Sequence, residues 1–111
     1  MSTNIRELVP SKQAENAQTT QYTATNVAAI IDKCTATNTT GVAATISINL
    51  VPSGSAAGAA NLILDAKSVA PNSTYTCPEV VGHSLVAGSF ISTLAGTAAA
   101  ITIRISGREF T

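Results

Sequence analysis

VAATISINLV, residues 42–51, is the stretch of sequence that decides the fold. Every second residue is apolar, and the residues between are alanine, threonine, serine and asparagine. Successive side chains of a strand point to opposite faces, so this period of two predicts a β-strand with one buried and one solvent-facing side. The side predicted to be buried holds Val42, Ala44, Ile46, Ile48 and Leu50.

A second alternating stretch, AITIRISG, covers residues 100–107. Its three isoleucines, Ile101, Ile103 and Ile105, are predicted to face the core. The polar residues between them are predicted to face water. These are Thr102, Arg104 and Ser106.

Shorter segments of β-favouring composition fill the rest of the chain, separated by Gly, Pro, Asn and Ser at spacings of about 8 to 15 residues. This pattern predicts an all-β fold, a single jelly-roll-like β-sandwich of about seven or eight strands. Strand pairing would distinguish a jelly roll from an immunoglobulin-like topology, and one sequence does not provide it. The segments are residues 26–37, 61–70, 73–79, 83–88 and 90–95.

Residues 1–18 differ from the rest, because they mix polar and charged groups without a sustained period of two or 3.6. We expect them to form an extended N-terminal arm and residues 19–111 to form the β-sandwich domain. The length of 111 residues is that of one domain.

The composition argues against several classes of partner. Charged residues make up 11% of the chain, the formal net charge is zero, and no run of like charge occurs, so we expect no nucleic-acid partner. No apolar stretch approaches the roughly 18 residues of a membrane span, and we expect no membrane partner. The polar start lacks the apolar centre of a signal peptide, which predicts a soluble chain made in the cytosol.

The stretch TCPEVVGH, residues 76–83, is the one place where reactive side chains gather. Cys77 and His83 could be a nucleophile and its base. However, a strand at TYTC would turn Cys77 to the same side as Tyr75, into the core, where burial makes a thiol inert. We expect His83 to close a loop by hydrogen bonding to the backbone, and Glu79 to be an exposed charge at an edge or turn.

Other kinds of chemical site are not indicated. Cys34 and Cys77 have no metal-ligand spacing, and we expect buried, free thiols, although one disulfide between them remains open. The six carboxylates are scattered, without a calcium cluster or a glycosidase pair. The glycine-containing residues 52–60 lack the lysine of a phosphate loop and are expected to be a long hairpin loop. We therefore expect no catalytic, metal or cofactor residues, and not an enzyme.

Three segments resemble small structural proteins of tailed bacteriophages. They are LVPSGSAAGAANLI at residues 50–63, AKSVAPNSTYTCPEVVGHSLVAGSFIS at residues 66–92, and ITIRISG at residues 101–107. The pattern resembles the capsid decoration proteins, also called cement or staple proteins, of short-tailed phages of the epsilon-fifteen type. It covers roughly residues 20 to 107.

The resemblance implies a jelly-roll-like virion protein on the outer surface of the capsid, made and assembled in the host cytoplasm. It implies binding to the major capsid protein, linkage of neighbouring capsomers as a homodimer, and stabilisation of the head. Residues 1–18 would then be a tether that orders on binding. The alternative is a module of a phage tail, fibre or baseplate that binds a host-surface glycan or another virion protein. A small cysteine-dependent enzyme is the third interpretation, and it depends on Cys77 and His83 alone.

Overall fold

The alternating stretch at residues 42–51 forms one of the central strands of a two-sheet β-sandwich. The computed structural model describes residues 2–111. Within that range the chain forms nine strands, two of them only two residues long, and one 3-10 turn at Ala59–Asn61. The strands are β1 Thr3–Gln13, β2 Thr19–Thr23, β3 Ala28–Asn38, β4 Ala44–Val51, β5 Leu62–Val69, β6 Thr74–Tyr75, β7 Ser84–Leu85, β8 Phe90–Ala95 and β9 Ile101–Phe110.

The strand pairing is that of a jelly roll. One sheet has the order β1-β9-β3-β6, with β7 also paired to β3, and the other has the order β2-β8-β4-β5. The antiparallel pairs β1·β9, β2·β8, β3·β6 and β4·β5 are nested, as in one long hairpin rolled into two sheets. The predicted all-β, jelly-roll-like sandwich is therefore confirmed, and its pairing is not that of an immunoglobulin domain.

The core lies between the sheets and is almost wholly aliphatic. Ile101, Ile103 and Ile105 of β9 are fully buried, as predicted, and Arg104 is exposed on the opposite face. Each fully buried isoleucine contributes roughly 2 kcal/mol relative to an exposed one. The central strand β9 thus contributes three fully buried isoleucines to the core side of the five-stranded sheet.

The predicted buried face of residues 42–51 is correct from Ala44 onward. Ala44, Ile46 and Ile48 are buried, and Leu50 is partly buried against the same core. The intervening residues Asn49 and Val51 are buried as well, and the loop of residues 52–60 covers Asn49, whose side chain donates hydrogen bonds to Gly58 and Asn61. Val42 precedes the strand and is exposed.

The N-terminal segment is part of the sandwich, which corrects the expected arm at residues 1–18. Thr3–Gln13 pairs with β9 along its length as the edge strand of the five-stranded sheet. Leu8 and Val9 are both buried, because the register shifts between Glu7 and Val9 and places neighbouring side chains on the same side. Burial of these residues and the β9 ladder hold the segment in the fold.

Candidate interaction surface

Residues 76–83 form the turn between β6 and β7, and their side chains point in different directions. Cys77 is fully buried, whereas His83 and Glu79 are exposed. The structure records no hydrogen bond between Cys77 and His83 within residues 2–111. The backbone of His83, not its imidazole, closes the loop: its carbonyl accepts a 3.0 Å hydrogen bond from the amide of Ile31.

The expected exposed carboxylate, Glu79, fixes the same turn. The Tyr75 hydroxyl donates to it, at 2.5 and 2.7 Å from the two carboxylate oxygens. This hydrogen bond lowers the pKa of Glu79 and raises the pKa of Tyr75 to about 12. The Lys67 ammonium lies 5.0 Å from the centre of the Tyr75 ring. These contacts tie the turn to Tyr75 of β6 and, through Lys67, to β5 of the other sheet.

The loop of residues 52–60 connects β4 and β5, as expected of a hairpin, and it folds back over the four-stranded sheet. The Asn49 side-chain amide donates to the carbonyl of Gly58 at 3.0 Å and to the Asn61 side chain at 2.8 Å. Beside this anchor is a shallow cavity of about 230 Å³. It is lined by Gln18, Ser47, Asn49, Ala57, Gly58, Leu62, Asp65 and Leu94.

A buried polar cluster, which the sequence analysis missed, joins the two sheets. Glu109 of β9 is only 7% exposed, and it accepts hydrogen bonds from the Tyr22 hydroxyl at 2.5 Å and from Arg6 at 3.0 Å. Burial and the hydrogen bond to Glu109 raise the pKa of Tyr22. Tyr22 and Glu109 are buried and bonded to each other, while Arg6 pairs with Glu109 from the surface, and the cluster therefore serves as an inter-sheet clasp.

The free edge of β1 is the most open part of the five-stranded sheet. Ser2 and Thr111 exchange two backbone hydrogen bonds, at 3.1 and 2.9 Å, at the start of the β1·β9 ladder. Along an antiparallel ladder, residue pairs that exchange backbone hydrogen bonds alternate with pairs that do not. Since Ser2 is hydrogen-bonded to Thr111, the backbone N–H and C=O groups of Thr3, Ile5 and Glu7 point away from β9. We call this outward side of Thr3–Glu7 the β1 edge. Within the described residues no other strand covers it.

The side chains beside the β1 edge are apolar or already paired. Ile5 is 91% exposed, the most exposed large hydrophobic residue of the described chain. Next to it, the guanidinium of Arg108 makes two hydrogen bonds to Asp32, at 3.0 and 3.1 Å. Glu7 forms an ion pair with Arg104 at 3.4 Å. The β1 edge thus combines unpaired backbone groups with an exposed isoleucine and neutralised charges.

Two further exposed hydrophobic residues lie near the opposite edge of the same sheet, beside β7. Val81 precedes β7 and Val86 follows it, and they are 37% and 65% exposed. Since β7 pairs with β3 and β1 pairs with β9, the five-stranded sheet has apolar side chains near both of its edges.

No family model, no curated protein and no solved structure matches this chain. No helix in the described part of the chain is long and apolar enough to cross a membrane. Among residues 2–111, no group of three or more His, Cys, Asp or Glu side chains could hold a metal ion.

Proposed function

We propose that this chain is a structural protein of a bacteriophage virion, a decoration protein that binds the major capsid protein from outside. In this role it links neighbouring capsomers and catalyses no reaction. The jelly-roll topology supports the proposal, as does the resemblance carried by residues 50–63, 66–92 and 101–107. These segments form the β4–β5 connection with the adjoining strand ends, the chain from the middle of β5 to the start of β8, and most of β9.

The observation that carries the proposal is the β1 edge, a surface ready for contact with another protein. Unpaired backbone groups at a sheet edge bind another strand, and natural proteins usually cover or blunt such edges. In β1 the features that do so are Pro10, Lys12 and the two register shifts, and all of them lie beyond the β1 edge. Thr3–Glu7 is left open, with Ile5 at its centre.

The most compatible partner for the β1 edge is the β1 edge of a second copy. An antiparallel pair centred on Ile5 places Thr3 opposite Glu7 of the partner subunit, and Ile5 opposite Ile5 of the partner subunit. Outward-pointing backbone groups then meet, and the two isoleucines form a cross-strand apolar pair. Centring on Arg6 or on Glu7 would instead place like charges opposite each other, which is unfavourable.

Such a homodimer would have two sites for capsomers. Pairing through β1 leaves β7, Val81 and Val86 at the outer ends of the joined sheets, where they can contact the major capsid protein. When one end is bound, binding of the other end becomes intramolecular, so that two modest contacts act as one strong link. This arrangement would resist the outward pressure of packaged DNA.

Imaging tests the function directly. Purified chain is mixed with phage shells that lack it, and the shells are imaged by cryo-electron microscopy. The proposal expects density at symmetric positions on the outer surface, and Val86→Asp should weaken binding while Val42→Asp, an exposed control far from β7, should not. Absence of binding, or density at the tail vertex alone, would contradict the capsid proposal.

The alternative is a tail, fibre or baseplate module that binds a host-surface glycan. One observation favours it: the cavity beside Asn49 is lined by amide, hydroxyl and carboxylate groups, which can hydrogen bond to sugar hydroxyls. Binding to a glycan array that is lost in Asp65→Asn, without binding to shells, would support this alternative.

A further inference from the structure

The two cysteines, 43 positions apart in the sequence, come together beside β3. Cys34 of β3 is 1% exposed, Cys77 in the turn after β6 is 0% exposed, and both are free thiols. Both belong to the same buried cluster. The sequence predicts two buried thiols and leaves a bridge between them open, so their placement in one part of the fold is a structural finding.

The strand register explains why they meet. Ala36 of β3 pairs with Tyr75 just before the turn, and the Gly82 amide at the far end of the turn donates to the carbonyl of Ile31. The turn that holds Cys77 therefore lies along the stretch of β3 that holds Cys34. Cys34 and Ala36 are both buried, which places the Cys34 thiol on the core side of β3.

The thiols also influence each other chemically. The Cys77 side chain raises the pKa of Cys34, and burial raises it further. The Cys34 side chain in turn lowers the pKa of Cys77. Cys77 is therefore the better nucleophile of the two, and Cys34 is placed to react with it afterwards.

We propose that Cys34 and Cys77 are a dithiol that a low-molecular-weight disulfide, such as oxidised glutathione, converts to an intramolecular disulfide. The Cys77 thiolate attacks one glutathione sulfur, forms a mixed disulfide and expels one glutathione thiolate. The Cys34 thiolate then attacks the Cys77 sulfur and expels the second. Two protein thiols are oxidised, one glutathione disulfide is reduced, and the two protons end on the two glutathione thiols.

The surrounding turn controls this reaction. Residues 76–83 cover the thiols and are held down by the Tyr75–Glu79 hydrogen bond and by backbone bonds from Gly82 and to His83. An oxidant reaches Cys77 only when this turn opens, so oxidation of the folded chain is slow and follows local opening. Once formed, the disulfide ties the turn to β3.

Mass spectrometry and thermal unfolding test the proposal on the full chain. The purified protein is incubated with oxidised glutathione in mild urea, which populates the open turn, and is then returned to buffer. We expect the intact mass to fall by two hydrogens, a crosslinked peptide pair containing Cys34 and Cys77, and a rise in Tm of roughly 10 °C that a reductant reverses. Tyr75→Phe, which removes the hydrogen bond to Glu79, should speed oxidation several-fold in the absence of urea.

Matched controls are Cys34→Ala and Cys77→Ala. Each should gain one glutathione on the remaining cysteine and show no reductant-reversible rise in Tm. Recovery of the wild-type chain with two bound glutathiones, or only with bonds between chains, would overturn the proposal. Because the mass measurement is made on the wild-type chain, it remains decisive even if a variant fails to fold.

Discussion

Glu109 shows how one buried charge can organise the end of this sandwich. An ionised carboxylate is costly to bury unless its oxygens are hydrogen-bonded. Tyr22 from the four-stranded sheet and Arg6 from β1 provide those bonds. The partners lie 87 and 103 positions away in sequence, so no local spacing could reveal the clasp. Sequence reasoning finds only scattered carboxylates, since it lacks the strand pairing that brings these three together.

Because Glu109 is central to the inter-sheet clasp, we expect Glu109→Ala to lower the stability of the protein substantially. The substitution leaves the Tyr22 hydroxyl without its acceptor and Arg6 without its counter-charge, so we expect a loss of about 2–3 kcal/mol in the free energy of unfolding. Urea denaturation followed by circular dichroism measures it. Glu7→Ala is the matched control, because its ion pair with Arg104 is exposed and should contribute less than about 0.5 kcal/mol. Equal losses in both variants would rule out a special role for the clasp.

At the scale of elements, regular alternation predicts strands well and bulges limit the prediction. β9 alternates without interruption from Ile101 to Ile105, and its faces were predicted correctly. β1 has two register shifts, which put Leu8 and Val9 on the same side and erase the period of two. The segment therefore resembles an aperiodic arm in sequence, although it is a full edge strand in the structure.

Among the described glycines, Gly107 leaves the least room for a side chain. A Cβ at this position would lie well inside van der Waals distance of the Ile30 carbonyl of β3 and 2.9 Å from a methyl group of Leu8. Because the nearest atom belongs to the backbone, the ladder between β3 and β9 would have to move.

Gly107→Ala should therefore destabilise the protein by about 1–3 kcal/mol, as overpacking does. Thermal unfolding monitored by circular dichroism checks this. Gly41→Ala provides the control, since a Cβ there meets no atom within 4 Å. A Gly107→Ala protein as stable as the Gly41→Ala protein would mean that β3 and β9 are less closely packed than described.

For the whole molecule, the sequence predicts two-sided strands but not which strands are neighbours. The same strand list could build an immunoglobulin-like sandwich, and only the nested pairs distinguish the jelly roll. This pairing also determines which edges remain free. It leaves β1 at one side of the five-stranded sheet and the short β6 and β7 at the other, so the long open edge of this sheet is at one side only.

The dimer proposed at this edge predicts that Ile5→Lys favours the monomer. Two lysines would face each other at the centre of the paired edges and replace an apolar contact by repulsion, so the dimer dissociation constant should rise at least about tenfold. Ile5 has no buried contacts to lose, and folding should be unaffected. Sedimentation equilibrium of wild type, Ile5→Lys and the exposed control Val42→Lys measures the effect. A wild-type monomer would contradict the proposed dimer. Three proteins that dimerise equally would place the subunit contact elsewhere, because pairing at the β1 edge brings the two copies of residue 5 together.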